Sequence, residues 1–277
     1  MASTTSKVLT GCGIGCLLVI IMGVGVSFMG YRWVKDTTEA VEEAGRIERE
    51  LEERYGEARA FVPAAGPGVP SDRMEVFLAV RDALTGPREE LTAAVGGLAA
   101  GESDSGIASG IRTARAGISL GPRILEFAGG RNQALLDAGM GVGEYTWIYW
   151  FTYYAWLGHP ADDSALHEVV ESHNSGDGSV QIHIDGGMEP ERITWRLRRD
   201  VTAMLRNLQA ELESDPAQAD LLAAVMAEMA ELGADPGRVP WQSDLPEAFA
   251  VGLEPYRERL EATYSKATNP FELVEFE

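Results

Sequence analysis

Residues 8–29 carry no charged side chain, and an unbroken run of 22 such residues limits where the start of this chain can reside. Wound as an α-helix it would measure about 33 Å, against a bilayer hydrocarbon core of about 30 Å. Eleven of the 22 residues are Val, Leu, Ile or Phe, and each favours insertion by roughly 0.3–0.6 kcal/mol at mid-membrane. Tyr31 and Trp33 follow, flanked by Arg32 and Lys35, as expected at a headgroup boundary. Residues 1–35 therefore read as a short tail and a single transmembrane anchor, with the lipid bilayer as partner through residues 8–29. A cleaved signal peptide is the alternative. Its apolar region is usually shorter, roughly 7–15 residues, and ends in a small-x-small site; here only Gly25-Val26-Ser27 resembles one. Leu9-Thr10-Gly11-Cys12 has the letters of a lipobox but precedes the apolar run instead of following it.

Gly11, Gly15, Gly23 and Ser27 recur at multiples of four residues, with Val19 between. Small side chains on one helical row let two helices approach closely, so this row is the expected face for a homo-oligomer. Lys7 stands before the span and Arg32 and Lys35 after it, which leaves the positive-inside rule nearly balanced. The short N-terminal tail favours a domain outside the cytoplasm.

The chain's formal charge is −20. Lys7, Arg32 and Lys35 are the only charges in the first 35 residues, so the remaining 242 carry −23. Such a surface disfavours nucleic acid, because it offers too few cations to replace the counterions on phosphate. Both cysteines, Cys12 and Cys16, lie in the apolar run. The rest of the chain therefore has no disulfide framework, thiolate metal site or thiol nucleophile.

Beyond the anchor, hydrophobic periodicity predicts an all-α protein. Val41, Ala44, Leu51, Tyr55 and Ala58 mark a helical stalk over 36–62, and Pro63, Gly66, Pro67, Gly68 and Pro70 a linker. An acidic helical domain of five to seven helices is expected over 71–268. Ser71 is placed to cap its first helix, which carries Met74, Phe77, Val80 and Leu84. Gly86-Pro87 predicts a kink or restart, continued by Leu91, Val95 and Leu98, and a loop is expected around 101–105. A further helical pattern from 107 to 157 should break near Gly121-Pro122. Glycines 129, 130, 139, 141 and 143 within it each cost about 1 kcal/mol relative to alanine unless close packing offsets them. After a polar stretch with a short helix over 164–172 and an extended edge at 180–184, Pro190 opens a strong helix with Leu197, Val201, Met204, Leu208 and Leu212. Another uses Leu222, Val225, Met226 and Met229 and should end at Gly233; a last one carries Phe249, Leu253, Tyr256, Leu260 and Tyr264, bent at Pro255. Residues 269–277 are expected to fray.

Eight of the 12 residues from Tyr145 to Trp156 are aromatic. Aromatics on every side of a helix point to a fully buried element, and the uncharged length there is too short to span a bilayer. The same run could instead line a ligand groove or contact a membrane surface. The segment Arg131-Asn-Gln-Ala-Leu-Leu-Asp-Ala-Gly-Met-Gly-Val-Gly-Glu-Tyr-Thr-Trp-Ile-Tyr149, continuing through Tyr153-Tyr-Ala-Trp-Leu157, resembles uncharacterised bacterial single-span membrane proteins, as does the glycine-rich start of the anchor. That resemblance implies a bacterial envelope setting; together with the short tail before the span, it gives the expectation of a bacterial inner-membrane protein with its domain on the extracytoplasmic side. It implies no activity and no functional residues.

All four histidines, His159, His167, His173 and His183, fall within 25 residues. His167 and Glu171, four apart, could share a divalent ion on a helix, with His173 nearby; the second histidine of the zinc-protease motif is missing. Arg192, Arg196 and Arg199 can share a helix face, either paired with carboxylates or open to an anionic ligand. Gly11–Gly15 and Gly139–Gly143 do not follow strands and do not complete a phosphate loop. No catalytic triad and no cofactor motif is present. The expectation is a membrane-anchored interaction or scaffold protein. Its rival is an extracytoplasmic binding protein or hydrolase with a pocket built from Glu144, Tyr145 and Tyr149 together with the arginine face or the histidines.

Overall fold

Leu197, Val201, Met204, Leu208 and Leu212, spaced by three or four, are all buried, as the 3.6-residue period demands. The computed structural model of the protein describes residues 43, 45–100, 107–164, 190–242 and 244–273, excepting the side chains of 98–100, 107–119, 190–193 and 270. The chain divides into two units, Met1–Glu43 and Ala44–Glu277, and the description below concerns the second. Among the described residues there are helices and no strand, so the all-α class holds. No helix among them is long and apolar enough to cross a membrane. The anchor over 8–29 with its small-residue row, stalk residues 36–42, the loop at 101–105, the elements expected within 165–189, and 274–277 lie outside the described residues.

Helix α1 covers residues 45–55 and buries Ile47 and Leu51 in the common core. The lower part of the expected stalk is thus packed into the domain instead of standing clear of it, because its apolar stripe finds a partner there. Gly56, at φ 82°, closes α1 by donating its N–H to the Glu52 carbonyl at 2.8 Å. A 3-10 turn at Ala58–Ala60 then leads into the proline-glycine linker.

Helix α2 spans Ser71–Ala83 and buries Met74, Phe77, Leu78 and Val80. Its N-cap is Pro70, and no side chain caps it; Ser71 is already the first helical residue. The restart expected at Gly86-Pro87 occurs one residue earlier, with α3 running from Thr85 to Ala100 and Pro87 in its permissive first turn. Helix α4, Ile107–Ala138, passes through Pro122 without the expected break. It lies antiparallel to α3: Arg123 pairs with Glu90, and a Cβ on Gly130 would meet the side chains of Pro87 and Leu84. That tertiary packing holds the helix through a residue lacking an N–H.

The aromatic run begins as helix α5, Val142–Tyr149, and continues as a π-helix from Trp150 to Trp156. Six consecutive residues of that π segment, Trp150 to Ala155, are buried, which makes this the central element. Helices α6, Pro190–Glu213, and α7, Ala219–Ala234, form a hairpin; α7 continues one residue past Gly233. Arg198 of α6 donates to the Leu232 carbonyl at 2.6 Å and caps the negative end of α7.

The expected last helix is three short pieces: α8 at Glu247–Ala250, a 3-10 turn at Glu254–Tyr256, and α9 at Arg257–Thr263. Pro255 falls at the start of the turn, where a missing N–H costs little. Fragmentation of this region raises the number of helices among the described residues above the five to seven expected. The predicted frayed tail also needs correction. Residues Asn269–Glu272 form α10, and Asn269, Phe271 and Glu272 are each buried to within 1 % exposure.

Glycine positions show how the central element is seated. A Cβ on Gly141 would sit 2.7 Å from the Tyr55 Cβ, and one on Gly143 would collide with the Ala58 carbonyl and Phe61. Gly139, at φ 67°, turns the chain between α4 and α5. Gly129 and Gly130 face no such crowding, so close approach explains only two of the five glycines.

Candidate functional site

Arg81 follows Met74 by seven residues and Phe77 by four, so it occupies a core position of α2's stripe. Arg88 stands four residues after Leu84 and three before Leu91, Arg131 four from both Phe127 and Leu135 on α4, and Glu228 three after Val225 and four before Leu232 on α7. All four charged side chains are buried. A charge at the apolar phase of a helix was the signal in the sequence, and composition alone passed over it.

Two of these residues, Arg81 and Arg131, converge on α10, and Arg88 supports Arg81 from behind. Arg81 Nη1 donates to Glu272 Oε1, its Nη2 donates to the Thr263 carbonyl, and both side chains of the ion pair are fully buried. The Tyr145 hydroxyl donates to Glu272 Oε2 at 2.6 Å and accepts from Arg81 Nη1 at 2.9 Å. Thr268 Oγ1 adds a bond to Glu272 Oε1 at 3.2 Å. Arg131 Nη1 donates to the Phe271 and Glu272 carbonyls at 3.1 and 2.7 Å, and Arg88 Nη2 to the Arg81 carbonyl at 2.5 Å. The Arg81 guanidinium also lies 5.2 Å and 5.4 Å from the ring centres of Tyr149 and Tyr153.

A second node sits beside it. The hydroxyls of Tyr149 and Tyr154 both donate to Asn269 Oδ1, at 2.9 and 2.7 Å, while Asn269 Nδ2 donates to the Asp163 carbonyl at 2.9 Å. Residues five apart on an α-helix point about 140° away from each other. Hydrogen bonding from residue i to i+5 brings them onto one face. The switch to π geometry at Trp150 thus aims two phenols at one amide oxygen.

Burial governs the electrostatics. It pushes the Tyr145, Tyr149 and Tyr154 phenols up, and the Glu272 carboxylate raises them further. Burial opposes the charge on Arg81, but Glu272 and the surrounding phenols outweigh it and hold that guanidinium charged. Burial and the neighbouring Arg81 lower Arg88. Phenols that stay protonated act as donors, not as bases. The described side chains fill this region, leaving the rings packed on one another, with Tyr149 and Tyr153 centres 4.6 Å apart.

The residues expected to share a pocket are separated. Tyr145 and Tyr149 face the core, whereas Glu144 faces the other way and takes a two-pronged pair from Arg73 Nε and Nη2, both 2.6 Å. Arg196 and Arg199 lie on α6, where Arg199 pairs with Asp200 at 2.8 Å and stacks on Trp195 at 5.4 Å. Arg199 and Asp200 line a surface cleft of about 370 Å³ with Gly45, Arg49, Glu52 and Val142, and Glu144 is not part of it. The backbone of Arg192 belongs to the first turn of α6.

His159 is the only histidine among the described residues. Its ring stacks on Tyr264 at 3.8 Å and 7°, and burial lowers its pKa despite the nearby carboxylates of Asp163 and Glu261. His167, Glu171 and His173 lie outside the described residues, among which no group of three or more potential ligands could hold a metal ion. The chain matches no family model, no curated protein and no solved structure.

Proposed function

We propose that this chain is a membrane-tethered envelope protein whose helical domain works as a scaffold or interaction surface and not as an enzyme. One observation carries the reading. The polar groups around Tyr145 and Tyr149 bond mostly to one another, Arg81 Nε and Arg88 Nε being left without a partner, and Arg81, Tyr145, Tyr149 and Glu272 are all within 1 % exposure, which argues against a site open to substrate. A pocket-based enzyme needs convergent polar groups that open to a cavity, and the groups that converge here are buried among the described residues.

The tether rests on the sequence of residues 8–29 and their aromatic and basic flank. In this reading the span sits in a bacterial inner membrane, the domain faces the extracytoplasmic side, and two copies pair through Gly11, Gly15, Gly23 and Ser27.

Alkaline extraction of membranes containing the full chain tests the tether. The chain should stay with the lipid and deletion of residues 8–29 should release it; recovery of the intact chain in the supernatant would refute the reading. Crosslinking in those membranes should weaken with Gly15→Leu and Gly23→Leu, and an unchanged dimer would discard that face. For the scaffold, a combined Arg81→Met, Glu272→Leu and Tyr145→Phe variant should keep the wild-type crosslinking pattern to its neighbours. Loss of that pattern in a variant that unfolds at the wild-type temperature would point back to a site built on these groups.

A further inference from the structure

We propose that the outer face of helix α7 is a docking surface for a second copy of this chain, which lies antiparallel on it about a two-fold axis at Met226. The proposal goes beyond the tether reading above and does not depend on it.

Helix α7 is apolar on both sides. Leu221, Val225 and Leu232 are buried against the domain, as an amphipathic helix requires. The side turned to solvent should then be charged, and it is not. Of its exposed residues only Asp220 and Glu231 carry charge, and both lie about 120–140° around the helix from Met226. Met226 is 52 % exposed, and Leu222 and Met229 are half-buried beside it. These three and Gly233 recur at steps of four, three and four, which makes one continuous stripe. A helix apolar all round is ordinarily covered.

Gly233 is a second observation. It stands inside α7 without a positive φ, and a Cβ there would meet nothing within 4 Å. Neither a turn nor packing within the domain calls for glycine, which is less favourable than alanine in a helix. Close approach of another backbone does call for it.

The order of residues along the stripe selects the occupant. In an antiparallel pair with its two-fold axis at Met226, residues equally far before and after that position face each other. Leu222 then meets Ala230 of the second copy, Met229 meets Ala223, and Gly233 meets Ala219. Large side chains fall on small ones, and the closest approach comes where both are small. A parallel pair would set Leu222 on Leu222 and Ala223 on Ala223, and would pack worse.

Charge and area agree. Two copies of a chain of formal charge −20 repel over most of their surfaces, so an uncharged face is where they can touch, whereas a cationic partner would favour the acidic faces. A 16-residue helix, about 24 Å long and about 10 Å wide, offers roughly 250 Å² per copy against the roughly 800 Å² of a stable interface. The contact is therefore that of a weak, concentration-dependent dimer.

The test uses the full chain in detergent micelles, with Cys12→Ser and Cys16→Ser removing the native thiols. Under mild oxidation Met226→Cys should form a disulfide-linked dimer with itself. Ala219→Cys should link to Gly233→Cys when the two chains are mixed, and neither should link to itself. Sedimentation equilibrium of the wild type should show mass rising with concentration. Met226→Glu, which sets two carboxylates together at the axis, should weaken that association at least about tenfold without lowering the unfolding temperature. A Met226→Cys chain that stays monomeric, or an Ala219→Cys chain that links to itself, overturns the proposal. So does a Met226→Cys link to a different protein in cell membranes, which would give the face to another partner. Adding Gly15→Leu and Gly23→Leu separates this face from pairing through the span. The link at residue 226 should persist, and its loss would show that the contact only follows the span. A chain released by alkaline extraction that still forms the link refutes the tether alone.

Discussion

Arg81 and Glu272, 191 positions apart in the chain, meet as an ion pair with neither side chain exposed to water. The pair ties α2 to the last described helix and places Tyr145 between them. Removing one partner leaves a buried charge without its counterion, whereas replacing both with apolar residues removes the desolvation penalty as well. Glu272→Ala should therefore destabilise the protein by about 3–5 kcal/mol, and Arg81→Met with Glu272→Leu by much less. Thermal unfolding of the singles and the double measures the coupling. Additive losses would mean that the pair does not act as a unit.

Asn269 Oδ1 accepts from two phenols, Tyr149 and Tyr154. Asn269→Ala orphans both hydroxyls, at about 1–3 kcal/mol for each buried group left unsatisfied. Tyr149→Phe and Tyr154→Phe should cost less singly and, added to the alanine background, should recover part of the loss. Denaturant midpoints across the series check this. Failure of the two phenylalanines to rescue would detach the π-helix from Asn269.

Alkaline stability reports on the same phenols. Tyr145, Tyr149, Tyr154 and Tyr264 all have folded pKa values raised above the usual 10, chiefly by burial. The protonated forms favour the fold, so their contribution is complete below about pH 10 and is lost as the pH climbs from there through the folded values. Tyrosinate absorbance should therefore rise together with loss of helical circular dichroism. Ionisation of these phenols ahead of unfolding would contradict their burial.

The apolar stripes were legible in the sequence, and the polar bonds across them were not. Leu197 to Leu212 and Met74 to Leu84 set their helices because a local period survives any tertiary context. The Arg81–Glu272 pair depends on residues 191 apart, and no local window contains both. Yet Arg81, Arg88, Arg131 and Glu228 each stood at an apolar phase, and a charge there must find a partner or force the helix outward. The predicted break at Pro122 failed for a related reason: the cost of proline is local, and the packing of α4 on α3 that offsets it is not. Tyr145 and Glu144 are adjacent in sequence, so grouping them in one pocket ignored the helical turn that sends one to the core and the other to Arg73.

His159 adds an acid-side effect. Burial against Tyr264 and Tyr153 lowers its pKa below the usual 6.5, and Lys266 works in the same direction, while Asp163 and Glu261 oppose them. A depressed folded value means that the neutral ring supports the fold fully above about pH 6.5, with loss setting in as pH falls through the folded pKa. His159→Phe keeps a ring against Tyr264 and removes the proton. The unfolding temperature of the variant should fall less than that of the wild type between neutral and mildly acid pH. Equal slopes would show that the stack does not sense protonation.

Gly143 and Gly129 make opposite predictions from the same substitution. Both sit within helices, where alanine is favoured by about 0.5–1 kcal/mol on backbone entropy alone. A Cβ at Gly129 meets nothing within 4 Å, so Gly129→Ala should stabilise by that amount. A Cβ at Gly143 runs into the Ala58 carbonyl, a backbone atom that cannot step aside as a flexible side chain would. Gly143→Ala should therefore destabilise by about 1–3 kcal/mol, despite the helical gain, as α5 is pushed off the Ala58–Ala60 turn. If both variants melted above the wild type, the close seating of the aromatic element on that turn would be wrong, and with it the account of why glycine stands at the start of a helix so heavily loaded with rings.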